Sequence, residues 1–374
     1  MPLAPHQNGG ALRVVLLDSI SKWGGGEKWC VESALALRAR GHHAVVACEA
    51  GSPLAQRASE AGLETWTAAL LGGWNLISTW SLARFLRRER IEAVIGNVTR
   101  DLWIGTIACG IAGAKLLQRR GLVRPIKRGF PSRWLYTRAV RKIIVNSLAI
   151  RDCMLESADF LDPSRFVLIP NGVDTRAAAS GEGGRIRVEL GLEPGAPVVG
   201  SIGRLAAMKG HADLLRAWPR VREVVPGAVL LLVGEGEEKE ALTDLARTLD
   251  LGSSVRFLGF RRDVHDILAA LDVLVLPSVR DEGCSNTLLE AMWHGIPAVV
   301  TRCGGLPEVV SEGVTGLLVP IGDPLPLSAA VVRLLTSPEE RRRMGEAARA
   351  AVRERYSLDG ARDLLVDLLR SLRG

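Results

Sequence analysis

Short apolar runs, rich in Val, Ile and Leu, recur along this 374-residue chain and alternate with helix-length segments. Residues 13–18 and 44–48 are of this kind, and so are 198–202, 229–233, 255–258, 273–276 and 298–300. A strand that is apolar at successive positions is buried on both faces, which is the condition of a parallel sheet covered by helices on each side. The pattern therefore predicts an α/β fold of doubly wound, Rossmann-like sheets.

Two such series are present, and the length suffices for two domains with separate cores. The first continues through a helix stopped by Gly41, strands at 90–96, 115–118 and 142–146, and a helix at 102–112; it makes a domain of residues 1–170. The second begins after the Gly-rich loop at 180–184 and Glu193-Pro194-Gly195, and it fills residues 171–355, ending in a charged helix at 339–355. Residues 356–374 follow as a last helix, 358–372, with Leu364, Leu365, Leu368 and Leu369 at helical spacing. Residues 1–10 read as a disordered leader.

The net charge of +7 is unevenly spread. Residues 1–175 hold 23 Lys and Arg against 14 Asp and Glu, and in 84–142 the ratio is 15 to 3. Such a stretch attracts an anionic acceptor or an anionic membrane surface; the remaining reading is a solvated helix face. No helix-turn-helix, zinc finger or aromatic RNA-binding motif accompanies the charge, so nucleic acid is not expected as a partner. The six cysteines lack C-x-x-C spacing, so neither a zinc site nor a disulfide framework is expected. With no signal peptide or 18-residue apolar span, the expected place is the cytoplasm, including a peripheral position on the inner face of the cytoplasmic membrane.

Glu282 and Glu290, with seven residues between them, follow the apolar run 273–276. The first stands on a loop at a strand's carboxyl end and the second lies inside a short apolar helix. Ligands of open parallel sheets bind at that edge, and the amides of Ser285 to Leu288 open a helix whose positive end suits a phosphate. These residues point to a phosphorylated, hydroxyl-rich ligand.

The block from Glu282 to Glu290 resembles the E-x7-E signature of glycosyltransferase family four, the retaining, nucleotide-sugar-dependent enzymes of the GT-B fold. Five further elements match in order and spacing: Ile169-Pro170-Asn171-Gly172-Val173-Asp174, Ser201-Ile202-Gly203-Arg204-Leu205 with Lys209-Gly210, Leu231 to Gly236, Val255 to Phe260, and Gly304-Gly305-Leu306-Pro307-Glu308. The resemblance implies an acceptor-binding N-terminal domain and a nucleotide-sugar-binding C-terminal one facing a cleft, with the last helix crossing back to the former. It implies that Arg204 and Lys209 neutralise the diphosphate, that Glu290 takes the ribose hydroxyls and that Glu282 contacts the donor sugar. Gly203, Gly234, Gly283, Cys284, Ser285, Asn286, Thr287 and Leu288 would line that site, with Phe260 beside the base. Cys284, where relatives often carry Phe, reads as a packing variation and not a nucleophile. In the N-terminal domain Gly25 and Gly26, in the loop that begins at Gly24, would let backbone approach the donor phosphate and acceptor.

The chain departs from many relatives after the run 115–118, where Arg119 and Arg120 stand in place of a histidine; an arginine is too basic to act as a base there. Asp101 is then the candidate for orienting the acceptor, beside Glu282, Arg204 and Lys209 as catalytic residues. No D-x-D occurs, so no metal or other cofactor is expected. The implied reaction moves a sugar from a UDP- or GDP-sugar to a glycan or lipid-linked acceptor with retention, the departing phosphate helping to take the acceptor proton. A cell-surface glycan such as lipopolysaccharide core or exopolysaccharide is the expected product. Two alternatives stay open: a same-fold epimerase or hydrolase, and a sugar-nucleotide-binding protein without transfer. A nicotinamide dehydrogenase is disfavoured because the first turn lacks G-x-G-x-x-G.

Overall fold

A computed structural model describes residues 10–69, 76–174 and 181–373; the leader expected at the N-terminus falls, up to residue 9, outside them. The chain divides into two compact units, one of Met1–Ile169 with Ala361–Gly374 and one of Pro170–Gly360.

Unit 1 is built on a parallel sheet of β1 (Arg13–Asp18), β2 (His43–Glu49), β3 (Glu64–Ala68), β4 (Ala93–Gly96), β5 (Lys115–Arg120), β6 (Val140–Val145) and β7 (Phe166–Leu168). Their order is β3-β2-β1-β4-β5-β6-β7. The helices are α1 (Gly25–Ala39), α2 (Pro53–Glu60), α3 (Leu76–Arg88), α4 (Thr99–Ala112), α5 (Phe130–Trp134), which runs into a π turn (Leu135–Ala139), and α6 (Leu148–Ser157). Burial follows the pleat. Val15 and Leu17 face a core with Leu82, Leu86 and Leu102, whereas Val14 and Leu16 face another with Cys30, Ala34 and Leu37.

Unit 2 holds β8 (Val198–Ile202), β9 (Val229–Val233), β10 (Val255–Gly259), β11 (Val273–Leu276), β12 (Ala298–Thr301) and β13 (Gly316–Val319), all parallel, in the order β10-β9-β8-β11-β12-β13. Its helices are α7 (Gly183–Glu189), α8 (His211–Val224), α9 (Lys239–Thr248), α10 (Val264–Ala270), α11 (Asn286–Trp293), α12 (Leu306–Val309), α13 (Pro324–Thr336) and α14 (Pro338–Arg355). The last helix, α15 (Leu358–Ser371), starts in unit 2, where Val173 bridges Ser357 and accepts from the Leu358 amide. From Ala361 on it belongs to unit 1 and buries Leu365, Val366, Leu368 and Leu369 against β1 and β2. Leu364 of the expected apolar spacing is instead 47% exposed.

Each sheet changes winding direction once, between β1 and β4 and between β8 and β11. Helices leave on opposite sides at such a point, so a crevice opens above the carboxyl ends of the two central strands. The boundaries there differ from expectation in two places. Arg90, with φ of +49°, ends the turn after α3, so β4 starts at Ala93 instead of residue 90. Further along, β5 runs on through Arg119 and Arg120, which were expected to follow it.

Candidate active site

In unit 2 the loops after β8, β9 and β11 pack closer than side chains allow. A Cβ on Gly210, whose φ is +67°, would lie 2.0 Å from the Pro277 carbonyl oxygen; on Gly234 it would lie 1.9 Å from that of Gly203, and on Gly236 2.1 Å from that of Leu205. Glycine at 210, 234 and 236 thus serves close backbone approach, whereas at Gly203 a Cβ would meet open space. Over this backbone the Lys209 Nζ sits 2.7 Å from Glu282 Oε2, and the Ser278 hydroxyl donates to the same oxygen at 2.8 Å. Glu282 is buried and Lys209 partly so. Asp281 stands before it at φ of +62°, and the Gly305 amide donates to the Glu282 carbonyl, so the loop bends the carboxylate inward at a fixed place.

The same loop is tied from the unit's first residues, where Asn171 Nδ2 donates to the Cys284 carbonyl at 2.7 Å. Cys284 itself is buried in the core with Leu288, Leu289 and Tyr356, in keeping with a packing role. Ser285 caps α11, its hydroxyl accepting from the Leu288 amide at 3.4 Å. Leu288 therefore spends its amide on the cap, which corrects the expectation that it faces a phosphate; Asn286 and Thr287 form the opening turn. Glu290 lies half-buried one turn further on, Phe260 is 58% exposed, and Arg204 forks onto Glu237, Nε at 3.1 Å and Nη2 at 3.0 Å, both side chains half exposed. Lys209 and Glu282 are thus brought into contact, while Arg204 has a different partner.

His211 and Ser278 escaped the sequence reading. His211 opens α8 directly after Lys209-Gly210; it is buried, its Nδ1 has no hydrogen-bond partner, and burial with the neighbouring Lys209 pushes its pKa down to about 4. It is a neutral imidazole at physiological pH.

Unit 1 carries its polar groups at its own switch point. Asp18 ends β1, Asn97 follows β4, and Arg119 lies near the end of β5. Asn97 Nδ2 donates to Asp18 Oδ2 at 2.6 Å and its Oδ1 accepts from Arg119 Nη1 at 3.3 Å. Gly26 abuts the same amide, since a Cβ there would lie 2.2 Å from Asn97 Nδ2. Glycine at 26 is required by Asn97, beyond any approach to substrate. The Arg119 guanidinium lies over the Trp29 ring, 5.2 Å from its centroid.

Two expectations are corrected here. Asp101 is fully buried and accepts from the backbone amides of Ser19, Asn97 and Val98 and from the Ser19 hydroxyl. A carboxylate so occupied clamps the ends of β1 and β4 together and does not face an acceptor; burial, with Asp18 nearby, pushes its pKa up to about 7. Arg119 is buried among carboxylates and Arg120 donates to the carbonyls of Arg124 and Pro125, so neither belongs to an open cationic face. Just beyond them Arg124, Lys127 and Arg128 are exposed, the last donating to the Ser157 carbonyl at 2.9 Å.

Among the described residues, no three His, Cys, Asp or Glu side chains converge as metal ligands would. None of the described helices is long and apolar enough to cross a membrane.

Known proteins resemble the chain over both units. Residues 23–177 match the family described as Glycosyltransferase Family 4, and residues 196–337 the one described as Glycosyl transferases group 1. The N-acetyl-alpha-D-glucosaminyl L-malate synthase of Bacillus anthracis is 32% identical over 202 residues, which are 54% of this chain and 52% of that protein. The lipopolysaccharide core biosynthesis glycosyltransferase LpsE of Rhizobium meliloti is 35% identical over 185 residues, 50% of this chain and 53% of that one. The chain spans about half the length of the curated relatives it matches. Among solved structures, Anabaena HepE in complex with UDP superposes with a TM-score of 0.84 at 22% identity, covering 96% of this chain and all of that one. A Rickettsia africae glycosyltransferase gives a TM-score of 0.88 at 18% identity, covering 97% and 99%. At that identity these two establish the shared fold.

Proposed function

Because the chain belongs to the group 1, family 4 glycosyltransferases, with a Glycosyltransferase Family 4 match over residues 23–177 and a Glycosyl transferases group 1 match over residues 196–337, we propose that it moves a sugar from a UDP- or GDP-sugar to a glycan or lipid-linked acceptor, with retention at the anomeric carbon and without a metal. The observation that carries this reading is the Lys209–Glu282 pair at the β8/β11 switch point, set on backbone that only glycine permits.

Glu282, once the donor's sugar hydroxyls arrive, has a second oxygen and remaining lone pairs to accept them. Lys209 then turns its charge to the diphosphate, where negative charge grows as the glycosidic bond breaks. Arg204 can join it, because the Glu237 pair it must leave is solvent-exposed and such pairs contribute only about 0–1 kcal/mol. The amide ends of α8 and α11 add positive potential at the same edge. Glu290, reached through the α11 cap, is the ribose acceptor. HepE is solved with UDP, which supports a uridine donor as the first to try.

A membrane-bound acceptor is supported by unit 1. On α3 Leu76, Ile77 and Trp80 are exposed, and at α5 Phe130 and Trp134, with Trp134 stacked 6.4 Å from Trp103 of α4. Arg84, Arg87, Arg88, Lys127, Arg128 and Arg133 are exposed around them. Aromatic side chains with flanking cations suit the interface of an anionic bilayer. The relatives include a lipopolysaccharide core transferase and a phosphatidylinositol monomannoside mannosyltransferase.

Calorimetric titration with UDP, GDP and ADP, followed by transfer assays with the matching sugars in EDTA, tests the core of the reading. One nucleoside diphosphate should bind, its sugar should be transferred with retention, and EDTA should leave the rate unchanged. Turnover of donor at full rate without any acceptor, or loss of transfer restored by Mg²⁺, would overturn it.

A further inference from the structure

Glu282 is followed by Gly283, so its place is not set by its own backbone. A glycine turns through φ and ψ values closed to other residues, and a carboxylate next to one swings with it. The loop has to be held on both sides of that residue, and both holds are present. On one side the Glu282 carbonyl accepts from the Gly305 amide at 2.9 Å. On the other the Cys284 carbonyl accepts from Asn171 Nδ2 at 2.7 Å. This second carbonyl lies before the Ser285 cap, outside the α11 ladder, so its partner comes from elsewhere in the chain.

Both holds lead back to one place. The Val173 amide donates to the Tyr356 carbonyl at 2.9 Å and the Leu358 amide to the Val173 carbonyl at 3.1 Å, which bridges Val173 and Ser357 side by side. A Cβ on Gly172 would lie 2.5 Å from Leu358 Cα, so the approach requires glycine there. Asn171 stands directly before this bridge. From the other arm the Tyr356 hydroxyl donates to the Glu308 carbonyl at 3.2 Å, on the turn that carries the Gly305 amide. The bridge is also close in sequence to both points at which the chain passes between the units, Ile169-Pro170 and Gly360-Ala361.

We infer that Asn171 is a positioning residue for the donor's sugar: by holding the Cys284 carbonyl to the bridge it fixes the Glu282 carboxylate, and it ties that contact to the segment through which the chain enters unit 2. The other partners of Glu282 do not replace it. Lys209 and Ser278 share one carboxylate oxygen, and Lys209 turns to the diphosphate when the donor arrives, so the carboxylate then takes its direction from the backbone. Loss of Asn171 weakens the sugar contact and spares those to ribose and diphosphate, which fall to Glu290, Arg204 and Lys209.

The inference rests on the function proposed above, and the experiment separates the two. UDP with UDP-glucose, and GDP with GDP-mannose, are titrated calorimetrically into the wild type, Asn171→Ala and Asn171→Asp, the last keeping the side chain's size without its donor. With the pair that the wild type binds, each variant should take the sugar nucleotide about tenfold more weakly, the effect of one misaligned hydrogen-bonding group, and the bare nucleoside diphosphate unchanged. Glu282→Gln should show the same selective loss, and Asn171→Ala should add nothing to it in the double variant. Hydrogen exchange of the ligand-free protein reads the hold directly: the Gly305 amide should exchange about tenfold faster in both Asn171 variants, with the amides of β8 unchanged. Equal weakening of sugar nucleotide and bare diphosphate, additive losses in the double variant, or unchanged exchange at Gly305 in a folded variant each overturn the inference. A faster Gly305 amide in a protein whose wild type binds neither pair would uphold the hold on Glu282 and count against the proposed function instead.

Discussion

At Glu282 two donors converge on one oxygen, and each neighbour can be tested against the other. Lys209→Met removes the cation and leaves a buried carboxylate held by Ser278 alone. A buried acceptor that loses a charged partner costs about 1–3 kcal/mol, and urea unfolding should show a loss in that range. Turnover should fall further, by about a hundredfold, since the charge is needed most in the transition state; an unchanged kcat with raised KM would assign Lys209 to ground-state binding only. Glu290→Ala should weaken the preferred nucleoside diphosphate by about tenfold, the loss of one charge-assisted hydrogen bond, without lowering stability. In unit 1, Gly26→Ala places a methyl 2.2 Å from Asn97 Nδ2. Overpacking of this kind costs about 1–3 kcal/mol, and because φ there is ordinary Gly26→Ala should add no further loss in an Asn97→Gly background, whatever Asn97→Gly itself costs through its bonds to Asp18 and Arg119.

Among the elements, α1 and α4 begin alike. Each follows a central strand of the same sheet and has a buried acid as its third residue; Asp101 reaches back to accept from the Val98 amide, and Glu27 Oε2 lies 3.2 Å from where a Cβ on Gly24 would stand. The acids are buried because the helices start inside the switch-point crevice. The last helix, α15, poses a different test. Leu369 is buried with Leu365 and Leu368 against β1 and β2, whereas Leu364 is exposed. Leu369→Ala should cost about 2–4 kcal/mol in urea unfolding and Leu364→Ala under about 0.5 kcal/mol. Equal effects would mean that the helix does not dock on unit 1 as described.

Across the whole molecule the acids buried at the switch point of unit 1 and the histidines buried in unit 2 should contribute to the pH dependence with opposite signs. In unit 1, Glu27 and Asp101 are pushed up to about 7, so the folded unit binds more protons than the unfolded chain between the ordinary carboxylate range and neutrality. Its stability is full below the ordinary carboxylate range and falls as pH rises through about 7. In unit 2 burial pushes His211 and His294 down to about 4, and Arg261 and Arg185 hold Asp263 low. There the unfolded chain binds more protons on acidification, so stability is lost as pH falls from the ordinary histidine range toward 4. Hydrogen exchange of core amides should accordingly show β1 and β4 more protected at pH 5.5 than at pH 8, and β8 and β11 the reverse. Parallel changes in both units would refute the assignment of these groups.

Much of this architecture was legible from the chain alone, because apolar runs such as 198–202, 229–233 and 273–276 are strands by composition, length and punctuation together. Of the edge strands only β10 was; β3, β7 and β13 were not. β3, Glu64-Thr-Trp-Thr-Ala, is only partly buried and alternates in polarity, and β13 begins on a glycine, so neither reads as a buried strand. The candidate site divides along the same line. Glu282, Lys209 and the glycine turns follow from residue types at fixed local spacing, which the chain carries in its order. Roles that depend on what lies across the sheet do not: Asp101 reads as an acid free to face an acceptor, yet the end of β1 brings the Ser19 amide and hydroxyl, 82 residues distant, onto it. Likewise the bond from Asn97 to Asp18 and the burial of Arg119 on Trp29 arise where three strands end side by side. Sequence determined which groups are present at each strand's end. Tertiary structure decided which of them lose water, and with it which are charged, which are clamped and which remain open to a ligand.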